Sequence, residues 1–165
     1  MATKVEKEVN EVAELNPDQK ITIRNISSSL TGFRNSDNTG DVTISPKGSV
    51  RLPRGEVLAQ IQRGQNRLLL GEDGKGSHAT LYIEDAPTRI EAGFESEDGT
   101  VKQKILTEAI VKELFAKKQQ DFEKSFPITI VTTFEKSAVM EIARKLGIND
   151  YRKIKFAEQY TGYQF

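Results

Sequence analysis

The sequence predicts an α+β fold: a β-rich module, a sandwich or small barrel, followed by a C-terminal module of helix, strand, helix and helix. Two observations carry this. Apolar residues recur with period two in short runs up to about residue 92, and with the longer period of an amphipathic helix from about residue 101. Between them lies the acidic, turn-like stretch 95–99 (ESEDG), where the period changes. The expected division is an N-terminal arm or short helix at 1–16, a β-rich module at 17–99 and an α/β module at 100–165.

In the arm, Val5, Val9, Val12 and Leu15 fall at helical spacing, and Pro17 ends the stripe. A helix this short is marginal alone, so the stripe reads as a docking arm or as a frayed tail. Ile21 and Ile23 then alternate with Thr22 and Arg24, as in a strand with one wet face. The stretch 31–41 (TGFRNSDNTGD) reads as a polar loop. Val42 and Ile44, then Val50 and Leu52, flank the turn Pro46-Lys47-Gly48-Ser49 and suggest a hairpin. Val57, Leu58 and Ile61 fit one or two helical turns, and 71–76 (GEDGKG) is a tight loop. The runs 79–83 (ATLYI) and 88–92 (TRIEA) are the remaining strand candidates.

In the C-terminal module, Ile105, Leu106, Ala109, Ile110, Leu114 and Phe115 form the stripe of a helix over about 101–123. Pro127 argues against continuation, and Ile128, Ile130 and Val131 read as a strand. Thr132 and Glu135 have the spacing of a capping box. The helix behind them ends at Gly147, with Ile148 positioned to pack back on Ile142. Asp150 caps a last helix over about 151–160, ended by Gly162.

The chain has 165 residues, 24 Lys and Arg against 24 Asp and Glu, no Cys and one His. Balanced charge argues against a whole-molecule nucleic-acid or membrane binder but allows a local basic patch. The absence of Cys excludes disulfides, thiolate metal sites and a Cys nucleophile. A single His excludes a multi-His metal centre. No run has the length of a membrane span, and 1–16 lacks the apolar block of a signal peptide, so the expected site of synthesis is a cell's interior.

His78 is the one possible imidazole base, with Glu72, Asp73, Glu84 and Asp85 near it in sequence. No nucleophile elbow accompanies it, and a loop His bonded to a turn is the plainer reading. GEDGKG lacks the P-loop spacing and precedes a strand. Asn35, Asp37, Asn38 and Asp41 offer oxygens to Ca²⁺, but not at EF-hand spacing. No catalytic, cofactor or metal site is therefore expected. Residues 142–148 (IARKLGI) resemble the centre of a helix-turn-helix, and Arg144, Lys145, Arg152 and Lys153 would be its nucleic-acid contacts. Lys153 stands where that pattern places a branched apolar residue, and Tyr151, Phe156 and Tyr160 suggest packing.

Two stretches carry a further resemblance: the β-rich segment Val42 to Asp85, with its SPKGSVRLPRGEV and GSHATLYIED, and the ending GINDYRKIKFAEQYTG at 147–162. Both are similar to small virion-associated proteins of tailed bacteriophages, of the capsid decoration or minor head type. The resemblance implies a non-enzymatic protein, made in the host cytoplasm and carried in the virion, that binds the capsid lattice in multiple copies. Its partner would be the major capsid protein or another virion protein, with self-association also open and no membrane or cofactor involved. The family supplies no catalytic residues. The candidate apolar anchors are Phe33, Tyr163 and Phe165. The alternative is a DNA-binding regulator using the C-terminal helix pair.

Overall fold

A computed structural model describes residues 14–165, so Val5, Val9 and Val12 of the arm lie outside the described residues. The fold is α+β. β1 (Lys20–Asn25) alternates as its sequence requires, with Ile21, Ile23 and Asn25 buried and Lys20 and Arg24 exposed. It is the centre of an antiparallel sheet, paired on one side with β4 and on the other with the short β5. Ile23 lies opposite both Val50 and Ile83.

β2 (Thr31–Arg34) and β3 (Asp41–Ile44) form a separate two-stranded sheet with Phe33 opposite Val42. This corrects two expectations. The polar stretch after Thr31 begins as a strand, and β3 pairs with β2, not with β4 (Ser49–Pro53). The deciding turn is Asn35–Gly40. The Asn35 N–H donates to Gly40 O at 2.8 Å, Asp37 accepts from Thr39, and Asn38 takes φ 60°. Gly32 lets the strands meet, since a Cβ there would stand 2.7 Å from Val42 O. Among the described residues there are five strands, and they do not close into a barrel. Asn25 ties the two sheets: its buried amide donates to Ile44 O and Ser45 O and accepts from Ser27.

Around the sheets lie α1 (Arg54–Gln62), α2 (Arg67–Leu70) and, after β5 (Leu81–Ile83), α3 (Ala86–Glu91). The run TRIEA is in α3 and its cap, not in a strand. Asp85 caps it by accepting from the Thr88 N–H, and Pro87 sits in its first turn. Local capping decides against a short β-like pattern. The buried Arg54 joins this corner. It donates to Thr88 Oγ1 at 2.9 Å, Asn16 O at 2.8 Å, Gln19 Oε1 at 3.1 Å and Asp85 at 3.0 Å. One apolar core lies beneath these elements, built on Ile23, Ile44, Leu69, Leu81, Ile83 and Phe94.

The expected long helix over 101–123 is broken. Residues 101–107 are not helical, because Ser77 Oγ and the His78 N–H hold Lys104 by its backbone. Thr107 caps α4 (Glu108–Ala116), Lys117 and Lys118 are extended, and α5 (Gln119–Thr129) follows. The helix passes through Pro127, and no strand forms at 128–131. A Pro inside a helix costs about 3 kcal/mol. Burial of Phe122, Phe126 and Ile130 on one face of α5 offsets it. Tyr160 Oη donates to Ile130 O at 2.7 Å and to Pro127 O at 3.3 Å, pairing carbonyls at the helix end.

α6 (Thr133–Lys145) opens with the expected capping box. It ends as expected too: the Ile148 N–H bonds Ala143 O and the Gly147 N–H bonds Arg144 O, with Gly147 at φ 70°. Asp150 caps α7 (Tyr151–Thr161), and Gly162 ends it at φ 77°. A second core unites α4 to α7 around an aromatic cluster. Ring centroids lie 4.9 Å apart for Phe115 and Phe122, 5.2 Å for Phe122 and Phe126, and 5.6 Å for Phe126 and Tyr160.

Burial pushes the Asp85 carboxyl up, but its bonds from Thr88 and Arg54 hold it below the ordinary 3.8. Its stabilising effect is therefore present above that value and lost as pH falls through the lower folded-state value. Asp85→Asn should destabilise the chain by about 3 kcal/mol at neutral pH, because it leaves the Arg54 charge uncompensated. It should also flatten the loss of stability below about pH 4. Urea titrations of both proteins at neutral and acid pH check this; an unchanged acid limb would exclude Asp85 as its source.

Candidate functional site

The two cores meet at a polar seam. His78 follows the GEDGKG loop with φ 58°, and its Nδ1 lies 2.9 Å from both oxygens of Glu135. Glu135 is 1% exposed and also accepts from the Val131 and Thr132 N–H groups. The carboxylate that meets His78 is thus 57 residues away. Three of the four nearby acids are engaged elsewhere: Asp73 accepts from the Lys75 and Ser77 N–H groups, Glu84 pairs with Arg24, and Asp85 with Arg54. The His78 ring borders a cleft of about 350 Å³ between α2 and the start of α6, with Arg67, Glu72, Thr80 and Thr133. Thr132 is committed to capping α6. The arrangement positions two units against each other.

The second feature is the outer side of α7. Tyr151, Arg152, Lys155 and Gln159 are exposed along it, with Tyr151 69% exposed and Lys155 5.5 Å from its ring centre. These positions share one face by helical spacing. The inner side holds Lys153, Ala157 and Thr161. Tyr163, beyond Gly162, is 41% exposed.

The four basic residues of the helix-turn-helix reading do not form one free basic face. Lys153 is buried and donates to Phe115 O at 2.8 Å. Lys145 pairs with Glu108 at 2.6 Å. Arg144 lies 5.9 Å from the Phe165 ring centre and donates to Gln164 O. Arg152 remains exposed on α7. Of the aromatic candidates, Tyr163 is open. Phe33 is a strand residue packed on the first core, and Phe165 packs on the second. The loop oxygens serve turns: the Thr39 hydroxyl and N–H hold the Asp37 carboxyl below its usual range.

A third feature was hidden in the run read as a strand. Because α5 continues past Pro127, Ile130 turns inward while Ile128 is 71% and Val131 43% exposed. Ile105, Leu106, Ile110 and Ile128 line a mainly apolar cleft of about 260 Å³, which Gln103, Lys104, Thr129 and Glu135 also border. A neighbouring cleft of about 280 Å³ shares Ile110 and Ile128 and adds Glu113 and Lys117. An apolar run after a proline is the sequence signal for this surface, once it is read as the end of a helix.

No family model, curated protein or solved structure matches the chain.

Glu135→Ala leaves the Val131 N–H unpaired, ends the capping box and strips His78 of its partner. It should cost about 3 kcal/mol or more, against about 1 kcal/mol for Thr132→Ala, which removes only the cap. Equal urea midpoints for the two variants would show that the seam contributes nothing beyond capping.

Proposed function

We propose that the chain is a non-enzymatic structural protein of a tailed-phage particle. It is capsid-associated, as a decoration or minor head protein, and binds the lattice in multiple copies. In this reading its partner is the major capsid protein or another virion protein, and its place is the virion after synthesis in the host cytoplasm. The two small sheets act as an open sandwich about one core, since residues of β1 and β3 pack in the same apolar cluster. That module and the helical one are held as a unit by the seam.

The observation that carries the proposal is the outer face of α7 with the residues beyond it. Tyr and Arg are the side chains that dominate protein interfaces, because each combines a large contact area with a polar end. Here Tyr151, Arg152 and Lys155 stand together on a helix whose inner face is locked into the core. Such a face suits an acidic protein surface. Contacts of this size are weak singly, and repetition on a lattice turns weak contacts into stable attachment.

The charge of the same face favours a second reading, a DNA-binding regulator using the α6–α7 pair. Arg152 and Lys155 could neutralise phosphates, whereas Lys153, committed to Phe115 O, could not.

One experiment separates the two. The protein is sedimented with assembled capsids of a tailed phage, and in parallel titrated with a short DNA duplex. The expected result is co-sedimentation, reduced about thirty-fold in affinity by Tyr151→Ala with Arg152→Ala, the order for a pair of interface anchors. Protein left in the supernatant at micromolar concentration would sink the capsid reading. Duplex binding that weakens steeply with salt would replace it with the regulatory one.

A further inference from the structure

We propose that the groove between the outer edge of β2 and the α1–α2 junction is a docking site for an extended acidic segment of a partner protein. The segment adds to β2 as a further strand and sets its carboxylates against Arg34, Arg63 and Arg67.

The backbone of β2 is open on this side. Among the described residues β2 pairs with β3 alone. The Asn35 N–H bonds Gly40 O across the turn, so Thr31 and Phe33 turn their backbone groups towards β3, and Gly32 and Arg34 turn theirs to the outer edge. One of these outer groups is already met. The buried Gln60 amide donates to Arg34 O at 2.8 Å, as a neighbouring strand would. The Gly32 N–H and C=O and the Arg34 N–H have no such partner among the described residues. Unpaired edge groups of this kind are what an added peptide strand bonds. Gly32 is exposed and carries no side chain to stand in the way.

The groove beside that edge, of about 390 Å³, selects the charge of the segment. Arg34, Arg63 and Arg67 border it and, among the described residues, no carboxylate does. Arg34 donates to Asn38 O at 3.2 Å and Arg63 donates to Ser36 O, which fixes both heads on carbonyls without neutralising them. Arg67 is exposed and has no bonded side-chain partner among the described residues. Two acids of the same region, Glu56 and Asp37, lie outside the lining. Glu56 accepts from Ser36 and Gln60, and Asp37 from Thr39. A guanidinium carries five N–H donors in one plane and fits a carboxylate with two parallel bonds. The half-buried Phe33 and Leu68 also line the groove and give the apolar parts of a chain something to lie on. Arg67 and Leu68 border the cleft at His78 as well, so the surface runs on from one cleft into the next. A course of that kind suits an extended chain better than a compact anion. The free edge also favours a peptide over a nucleic acid, whose backbone has no N–H to give to Gly32 O. The groove shares no residue with the outer face of α7, and the inference does not rest on the capsid reading.

The test titrates the full chain into a labelled peptide of alternating Glu and Val and follows fluorescence anisotropy. The comparison probes are a Lys-Val peptide of the same length, the Glu-Val peptide N-methylated at alternate residues in each of the two registers, and a labelled oligothymidylate. The Glu-Val peptide should bind and the Lys-Val peptide should not. One N-methylated register should lose binding, because it blocks the edge that pairs with β2. Arg67→Glu and Gln65→Glu should each weaken binding about ten-fold, the order of one lost charge-assisted hydrogen bond. Both side chains are exposed, so unchanged urea midpoints are the folding control. The Tyr151→Ala, Arg152→Ala double variant should bind the peptide as the parent does; a loss there would place the peptide on α7 and overturn the proposal. No binding at millimolar concentration, or equal binding of both N-methylated registers and the plain peptide, overturns it too. Tighter binding of the oligothymidylate, weakened by the same two substitutions, would assign the groove to nucleic acid instead.

Discussion

Glu135 is the constraint from which the arrangement of the two cores follows. A carboxylate this deeply buried needs donors on both oxygens, because its desolvation is otherwise uncompensated. It takes them from two sources. The Val131 and Thr132 N–H groups fix where α6 begins, and His78 fixes the loop before β5. One side chain thereby sets the start of α6, the longest helix among the described residues, and its position against the sheet unit. The backbone of Lys104 adds a second tie, bonded to Ser77 and His78 beside the same seam. Much of the polar chemistry that a sequence reader would assign to a site is consumed in joining the halves.

Lys153 performs the corresponding task inside the helical core. Its ammonium donates to Phe115 O near the C-terminal end of α4 and lies 3.6 Å from Asp150. A cation is favourable at a helix C-terminus, where carbonyls lack partners. The stem of the side chain packs while its head stays bonded. With Lys153 turned inward, α7 is held in one rotation about its axis. Tyr151, Arg152 and Lys155 are then presented outward by geometry that does not depend on any partner. The basic cluster read from sequence is thus divided, one part building the core and another facing out.

What was legible in the sequence was local. The Thr132–Glu135 box, the Asp150 cap and the glycines at 147 and 162 act within a few residues of themselves, and each is where its spacing placed it. β1 was legible because its alternation is uninterrupted. The failures share a cause: competition between a local pattern and something outside it. TRIEA alternates like a strand, but Asp85 starts a helix there. The SDNTG stretch, read as part of a loop, is a hairpin turn because it returns β3 onto β2. The partnership of His78 with Glu135 spans 57 residues and left no local mark. The capping box did identify Glu135, but one role concealed the other.

The exposure of Ile128 follows from the packing of α5 rather than from chance at a chain bend. Phe122, Phe126 and Ile130 recur every four residues and bury one face of the helix. Tyr160 bonds the carbonyls at its end, so neither unwinding at Pro127 nor rotation about the axis is available without breaking that face. At about 100° per residue, Ile128 lies about 200° from Phe126 and has to point away from the core. Turning it inward would expose phenylalanines, each of whose burial stabilises the fold by about 2 kcal/mol or more. The side chain is held outward at a fixed place on a helix, beside Ile110 of α4.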